Sequence, residues 1–385
     1  MKTEIFSGCL TANQANDSVS ACGKAGFSSF VAYFRLLFII AAFVAVSSCS
    51  GRDNYVSITG FAQGGTYVVK INLAGSEGKV SMPAGAIKAG IDSVLLEIDN
   101  SLSGYNKGSL LSKFNAGEAV VPDRIFQDIY NKSYDFYLMT GGAFDVASAP
   151  LFDIWGFGFT SDSLPSESKV AEVLSYSGMD RLVKHMEKDV DGTVSGYGML
   201  LENEKEGELP RLNYNAVAQG YSCDIVASYL ASLGIKDMLI DIGGEIFCQG
   251  LNPSGLPWSV GVDKPVDGND TPGEHLQGVL VAGPEPCGIV TSGNYRKFYV
   301  KDGKKYAHTI DPRKGYPVSH SLLSATVVAA DATVADALAT YCMVIGLEKA
   351  KEFILSRPDI EGYLIYDNGG VLETWASSGF RLSED

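Results

Sequence analysis

Apolar and polar positions follow two rhythms along this chain, and they outline many of its elements. Phe61 to Leu73 has the two-residue alternation and β-forming composition of a strand. Residues 84–101 and 123–140 space their apolar side chains three and four apart, which predicts amphipathic helices. The first leaves through the turn-forming stretch Asp99–Asn106, and the second stops at Gly141-Gly142, a C-terminal cap signal. Cys223–Leu233 predicts a helix closed by Gly234, and Met238–Ile242 a buried strand. Residues 332–345 and 347–356 predict two more helices, and 362–366 a last strand. Residues 160–210 read as helix, strand and polar hairpin, and the Pro-, Gly- and Asp-rich stretch 263–278 as an exposed loop. Strands and helices mix without strict βαβ alternation, so the expected class is α+β.

Before residue 58 the pattern is of another kind. Arg35 precedes the apolar run Leu36–Val46, which has the length of a signal-peptide core rather than of a membrane-spanning helix. Val46-Ser47-Ser48-Cys49 resembles a bacterial lipobox, where cleavage leaves the cysteine to be lipid-modified. The expected organisation is a signal peptide over 1–48, a tether over 49–57 and one domain over 58–385. Cysteines 223, 248, 287 and 342 fall in that domain without CxxC spacing and read as buried free thiols.

Composition narrows the partners. With 385 residues, 46% of them hydrophobic, the chain can build a sizeable core. The 30 basic and 45 acidic residues leave a net charge of −15, which argues against a nucleic-acid backbone as ligand. A small phosphorylated ligand stays compatible, because a metal ion and backbone N–H groups can offset charge locally.

Several short constellations carry candidate chemistry. Asp336 and Thr340 are one helical turn apart within an apolar run, so a carboxylate and a hydroxyl project from one face. Two oxygen donors so placed suit a hard cation such as Mg²⁺. Gly141–Asp145 followed by Pro150–Gly158 offers close backbone approach, with Phe144 and Trp155 as a wall for a planar ring. Asn213–Tyr221 runs through a turn into a helix start, a natural seat for phosphate. Gly243-Gly244-Glu245 follows a strand, Thr291–Arg296 offers hydroxyls and a guanidinium, and His308 stands just before the Asp311–Gly315 turn. Taken singly, each has an ordinary structural use: a Thr bonding back into its helix, a core turn, a loop-to-helix junction.

Together, and in this order, these segments resemble the FAD:protein FMN transferase (ApbE) family over roughly residues 60–350. The resemblance implies an ApbE-like α+β fold with FAD bound in a cleft between two lobes. It also implies a reaction in which FMN moves from FAD to a Thr or Ser hydroxyl of an acceptor protein and AMP leaves. By the family's pattern Asp336, Thr340 and the carbonyl of Ala216 are metal ligands for Mg²⁺, and His308 is the general base. Gly64, Tyr105, Ala143, Phe144, Asp145, Asn213, Gln219 and Ile310 fall on flavin-nucleotide contacts. Three of these depart from common family usage: Asn213 replaces Asp, Gln219 replaces Lys or Glu, and Gly64 replaces Met. The family further implies acceptor subunits of membrane redox complexes of the Nqr and Rnf kind. It places the protein in the bacterial cell envelope, facing the periplasm and anchored through Cys49. The residues alone leave open hydrolysis of FAD to FMN and AMP, or flavin binding without chemistry.

Overall fold

The α+β architecture takes the form of three layers. In the computed structural model the described residues are 54–74, 80–118, 120–157, 164–188, 194–203, 210–266, 269, 273–294, 298–301 and 304–383. Cys49 with the apolar run before it, Gly158, Tyr295 and Arg296 lie outside them.

In chain order the first elements are β1 (Tyr55–Ala62), β2 (Gly65–Asn72), α1 (Ala84–Leu102), α2 (Leu110–Asn115) and α3 (Arg124–Met139). Then come α4 (Ala149–Ile154), α5 (Glu167–Leu174), β3 (Leu182–Lys188), β4 (Val194–Asn203) and α6 (Ala218–Ser232). A run of strands follows: β5 (Met238–Ile242), β6 (Glu245–Gln249), β7 (Ser259–Asp263), β8 (Leu276–Val281), β9 (Cys287–Gly293), β10 (Phe298–Lys301) and β11 (Lys304–Ala307). The chain closes with β12 (Ile310–Asp311), β13 (Tyr316–Pro317), β14 (Leu322–Ala329), α7 (Ala332–Ile345), α8 (Leu347–Leu355), β15 (Glu361–Asn368), β16 (Val371–Ala376) and β17 (Leu382–Ser383).

The central sheet has the order β1-β2-β5-β6-β9-β14-β15-β16, antiparallel throughout. Alternate residues of its strands face different layers. Val69, Ile71, Met238, Ile240 and Phe247 pack on α1 and α6 through Ile87, Ile91, Leu95, Val226 and Leu230. Farther along the same face, Val290, Ala325, Val327 and Leu364 meet Leu338, Ala339, Cys342 and Ile354 of α7 and α8. On the other face Leu239, Cys248, Ile289 and Ile365 meet Val260 and Leu280 of the small sheet β17-β8-β7, together with Trp258 just ahead of β7. A separate aromatic cluster ties the end of α1 to α3, residues 143–147 and residues 212–221, with Phe126, Tyr130, Phe144 and Tyr214 at its centre.

Some expectations need correction. The folded domain begins ahead of residue 58, since β1 starts at Tyr55. The single strand expected from Phe61 to Leu73 is the second half of a hairpin whose turn, Gln63-Gly64, has φ of 52° and 79°. α6 starts at Ala218, five residues ahead of Cys223, and the strand at 362–366 is followed by β16 and β17. The central strands β9 and β14 had no counterpart in the pattern: both faces are covered, and Thr291, Ser292, Ser324 and Thr326 break their apolar runs. The four described cysteines are free thiols, with Cys248 and Cys287 opposed in register and their sulfurs 3.6 Å apart. No described helix is long and apolar enough to cross a membrane.

Candidate active site

α7 is the element on which the site is built. Asp331 caps it by accepting from Val334 N at 2.8 Å, and most of its side chains are buried, as its near-uniform apolar sequence requires. Asp336, only 4% exposed, and the half-buried Thr340 project from it one turn apart. Gly220 N, in the first turn of α6, donates to Asp336 Oδ2 at 3.1 Å, and not one turn back to the carbonyl of Ala216. Such early-turn amides have no partner within their own helix. Ser292 of β9 stands 3.3 Å from the Thr340 hydroxyl, oxygen to oxygen. Close packing makes this convergence possible. A Cβ on Gly220 would lie 2.3 Å from the carbonyl oxygen of Ala332, and one on Gly288 of β9 would lie 2.3 Å from Ala332 Cα.

Burial pushes the Asp336 carboxyl up to about 7; the Gly220 amide opposes the shift and the charge of Asp224 reinforces it. Asp224 is itself pushed up to about 6 by burial, against hydrogen bonds from Thr333 and Ala332. A divalent cation would stabilise the ionised form of such a carboxyl. Carboxylate and hydroxyl oxygens are the donors Mg²⁺ takes, so the residues present fit that ion. Among the described residues no three His, Cys, Asp or Glu side chains form a metal cluster, so coordination beyond Asp336 would draw on hydroxyl and carbonyl oxygens.

Two sets of loops meet at the start of α6. Asn213 N donates to Val146 O at 2.7 Å, tying the Ala143–Asp145 segment to the turn that leads through Ala216. At the other side Gly243 N donates to Thr66 O at 3.2 Å, and Gln63 Nε2 donates to Ser222 Oγ at 2.5 Å. A Cβ on Gly243 would fall 2.0 Å from Gln219 Nε2, so Gln219 lies directly over that glycine. Gly64, Gln219 and the Gly243-Gly244 turn therefore share one edge of the site.

His308 sits half-buried between β11 and β12. Its neighbour Thr309 donates to Asn294 Oδ1 at 2.6 Å, and Asn294 immediately follows β9, two residues after Ser292. The chain of contacts from Thr340 through Ser292 and Asn294 to Thr309 carries His308 to the neighbourhood of the Asp336–Thr340 pair.

The expected flavin contacts divide. Phe144 is no open wall: its ring is 2% exposed and packs edge-on against Phe136 at 5.7 Å between centroids. Ile310 is likewise enclosed, by Leu151, Trp155, Val170 and Val173, so these two residues and buried Ala143 can offer a ligand backbone atoms only. Trp155 lies against Tyr306 and Tyr316 and donates from Nε1 to Gly315 O at 2.8 Å, which seats the Asp311–Gly315 turn. Asp145 accepts from Ala147 N at 2.8 Å and Met179 N at 3.2 Å; burial still pushes it up to about 7. Asn213 Oδ1 is used locally, accepting from Asn215 N at 2.8 Å, which leaves its amide group as the donor. Tyr105 is an exposed ring in the turn after α1. Two residues, Ser292 and Asp224, stand in the site without having been singled out. Nothing in the linear sequence places either beside α7.

Known proteins share this chain's sequence pattern and fold. The ApbE family model matches residues 64–364. The chain is 31% identical to the FAD:protein FMN transferase of Haemophilus influenzae over 89% of this chain and 95% of that one. It is 34% identical to the protein of the same name from Escherichia coli K12, over 77% of this chain and 81% of that one. Among solved structures, the flavin transferase ApbE from Vibrio cholerae superposes with a TM-score of 0.69 at 28% identity, covering 84% of this chain and 97% of that one. The apo flavinyl transferase ApbE of Pseudomonas stutzeri gives 0.70 at 26% identity, covering 84% and 95%.

Proposed function

The chain belongs to the ApbE family, and from that premise we propose that it is an FAD:protein FMN transferase that uses Mg²⁺ and releases AMP. The observation that carries the metal-dependent reading is the pairing of buried Asp336 with half-buried Thr340, facing Gly220 and Ser292. Asp336, Thr340 and the Ala216 carbonyl would hold the ion, which supplies positive charge to the pyrophosphate as it breaks. His308 takes the proton from the acceptor's Thr or Ser hydroxyl, and that oxygen attacks the phosphorus on the FMN side of the pyrophosphate. The P–O bond to the AMP half breaks, and AMP departs with the bridging oxygen and its electron pair. The chain's own contribution is positioning and charge balance, which dominate phosphoryl-type transfer. The Gly64, Gln219 and Gly243 edge and the backbone at 143–145 and 213 bracket the nucleotide.

The leader pattern supports a lipid anchor on Cys49 at the outer face of the cytoplasmic membrane, with subunits of Nqr- or Rnf-type redox complexes as acceptors. Incubation with FAD, Mg²⁺ and a flavin-acceptor domain tests the reaction: a fluorescent acceptor band on a denaturing gel is expected, lost with EDTA. Free FMN without labelled acceptor would mean hydrolysis, and unchanged FAD would mean a binder. A radiolabelled fatty acid should enter the full-length chain, and not its Cys49→Ala variant.

A further inference from the structure

Asp224 has no part in the flavin and metal contacts assigned above, yet it joins the two helices that carry them. Its carboxylate accepts from Ala332 N at 2.9 Å, from Thr333 N at 2.8 Å and from the Thr333 hydroxyl, all at the start of α7. One turn earlier on the same face of α6, Gly220 donates in the opposite sense, to Asp336 Oδ2 at 3.1 Å. The two helices thus exchange hydrogen bonds at two levels, across a gap that leaves no room for a Cβ at position 220.

We propose that Asp224 is a positioning residue for the metal site: by docking onto the first turn of α7 it fixes that helix's register against α6, and with it the placement of Asp336 and Thr340 relative to Ala216. The proposal rests on the Mg²⁺ reading given above. Its physical basis is the narrow geometry the ion demands, near-octahedral with ligand distances of about 2.0–2.1 Å. A ligand set drawn from α7 and from the turn just ahead of α6 meets that demand only if the two helices cannot slide. Asp331 caps the same end of α7, accepting from Val334 N at 2.8 Å, but it belongs to α7's own lead-in and cannot hold the helix to α6. Asp224, reaching across from α6, can. Partners of this kind, one shell beyond the ligands, typically change metal affinity about 10–100-fold when removed.

The test compares Mg²⁺ affinity, by titration calorimetry of the full chain, with melting temperature in four variants. Asp224→Asn should weaken Mg²⁺ binding about tenfold or more. Asp331→Ala should lower the melting temperature and leave Mg²⁺ affinity within about twofold, since it removes only a cap. Asp224→Glu restores a capping carboxylate on a longer arm; its melting temperature should recover while Mg²⁺ affinity stays reduced, and it carries the test should the Asn variant not fold. The proposal is overturned if Asp224→Asn binds Mg²⁺ like the wild type, if Asp331→Ala weakens binding as much as Asp224→Asn does, or if the Glu variant restores both properties. Asp336→Asn separates the two failures. If wild type and Asp336→Asn alike bind no Mg²⁺, the metal reading itself falls and takes this proposal with it. Wild-type binding undisturbed at position 224 refutes the positioning role alone.

Discussion

At the scale of single residues, Asp336 is at once the costliest and the most useful side chain in the site. Its carboxyl is buried and pushed up to about 7, so the metal-free fold carries a charge it would rather neutralise. Asp336→Asn keeps an oxygen to accept from Gly220 N while removing that charge. Its melting temperature without metal should equal or exceed that of the wild type, and added Mg²⁺ should no longer raise it; a variant still stabilised by Mg²⁺ would refute the ligand assignment. His308→Ala should still be stabilised by FAD but lose transfer, and loss of FAD stabilisation instead would make His308 a ligand contact. Asp145 gives a pH signature. Its pKa is raised from the ordinary value to about 7, so the folded state binds the proton more tightly than the unfolded chain. The stability this lends is full below about pH 4 and drains away as pH rises to about 7. Melting temperature should therefore fall more steeply with pH over that window in the wild type than in Asp145→Asn, and parallel profiles would refute the shift. Asp336 and Thr340 were legible in the sequence because their relation is local, one helical turn. Ser292 and Asp224 were not, because β9 and α6 reach α7 only through tertiary packing.

At the scale of elements, the site depends on how closely α6, α7 and β9 approach. Gly220 is the contact point, where a Cβ would meet the Ala332 carbonyl oxygen at 2.3 Å and Asp336 Cβ at 2.8 Å. Backbone cannot yield cheaply there, so Gly220→Ala should cost about 1–3 kcal/mol, as overpacking does, and weaken Mg²⁺ binding as the helices separate. Gly85→Ala, in the first turn of α1 with nothing within 4 Å of the new Cβ, is the control and should cost nothing. Equal melting temperatures for the two variants would show that the helix contact is softer than its geometry implies. The same contact explains which elements could be read from the pattern. α1 and α3 are legible to within a residue or two because each carries its own periodicity and an exit or stop signal, and α7 because its apolar run is long enough for a buried helix. The start of α6 was missed because its first turn, Ala218-Gln219-Gly220-Tyr221, has no apolar period. One of its free amides is satisfied instead by Asp336, a partner more than a hundred residues away.

At the scale of the whole molecule, the α+β class was legible and the topology was not. The sheet interleaves strands far apart in sequence, with β2 beside β5 and β9 between β6 and β14. That order is what brings the proposed nucleotide edge, on the β1–β2 and β5–β6 turns, toward the proposed metal pair on α7. It also sets an electrostatic condition. A chain of net charge −15, with Asp336 buried, Asp145 and Asp224 half-buried and all three raised in pKa, must bind an anionic dinucleotide. If Mg²⁺ binds at Asp336 and Thr340 as proposed, it offsets the repulsion between site and dinucleotide, each ligand strengthens the other's binding, and linkage makes the effect reciprocal. Stabilisation by a ligand grows as RT ln(1 + [L]/Kd), so mutual tightening appears directly in the melting temperature. Mg²⁺ alone and FAD alone should each raise it modestly, and the two together should raise it by more than the sum. In Asp336→Asn the combined shift should shrink to that sum. Additive shifts in the wild type would mean that FAD reaches its site without help from the cation, and that the oxygen pair on α7 serves the fold and not the flavin.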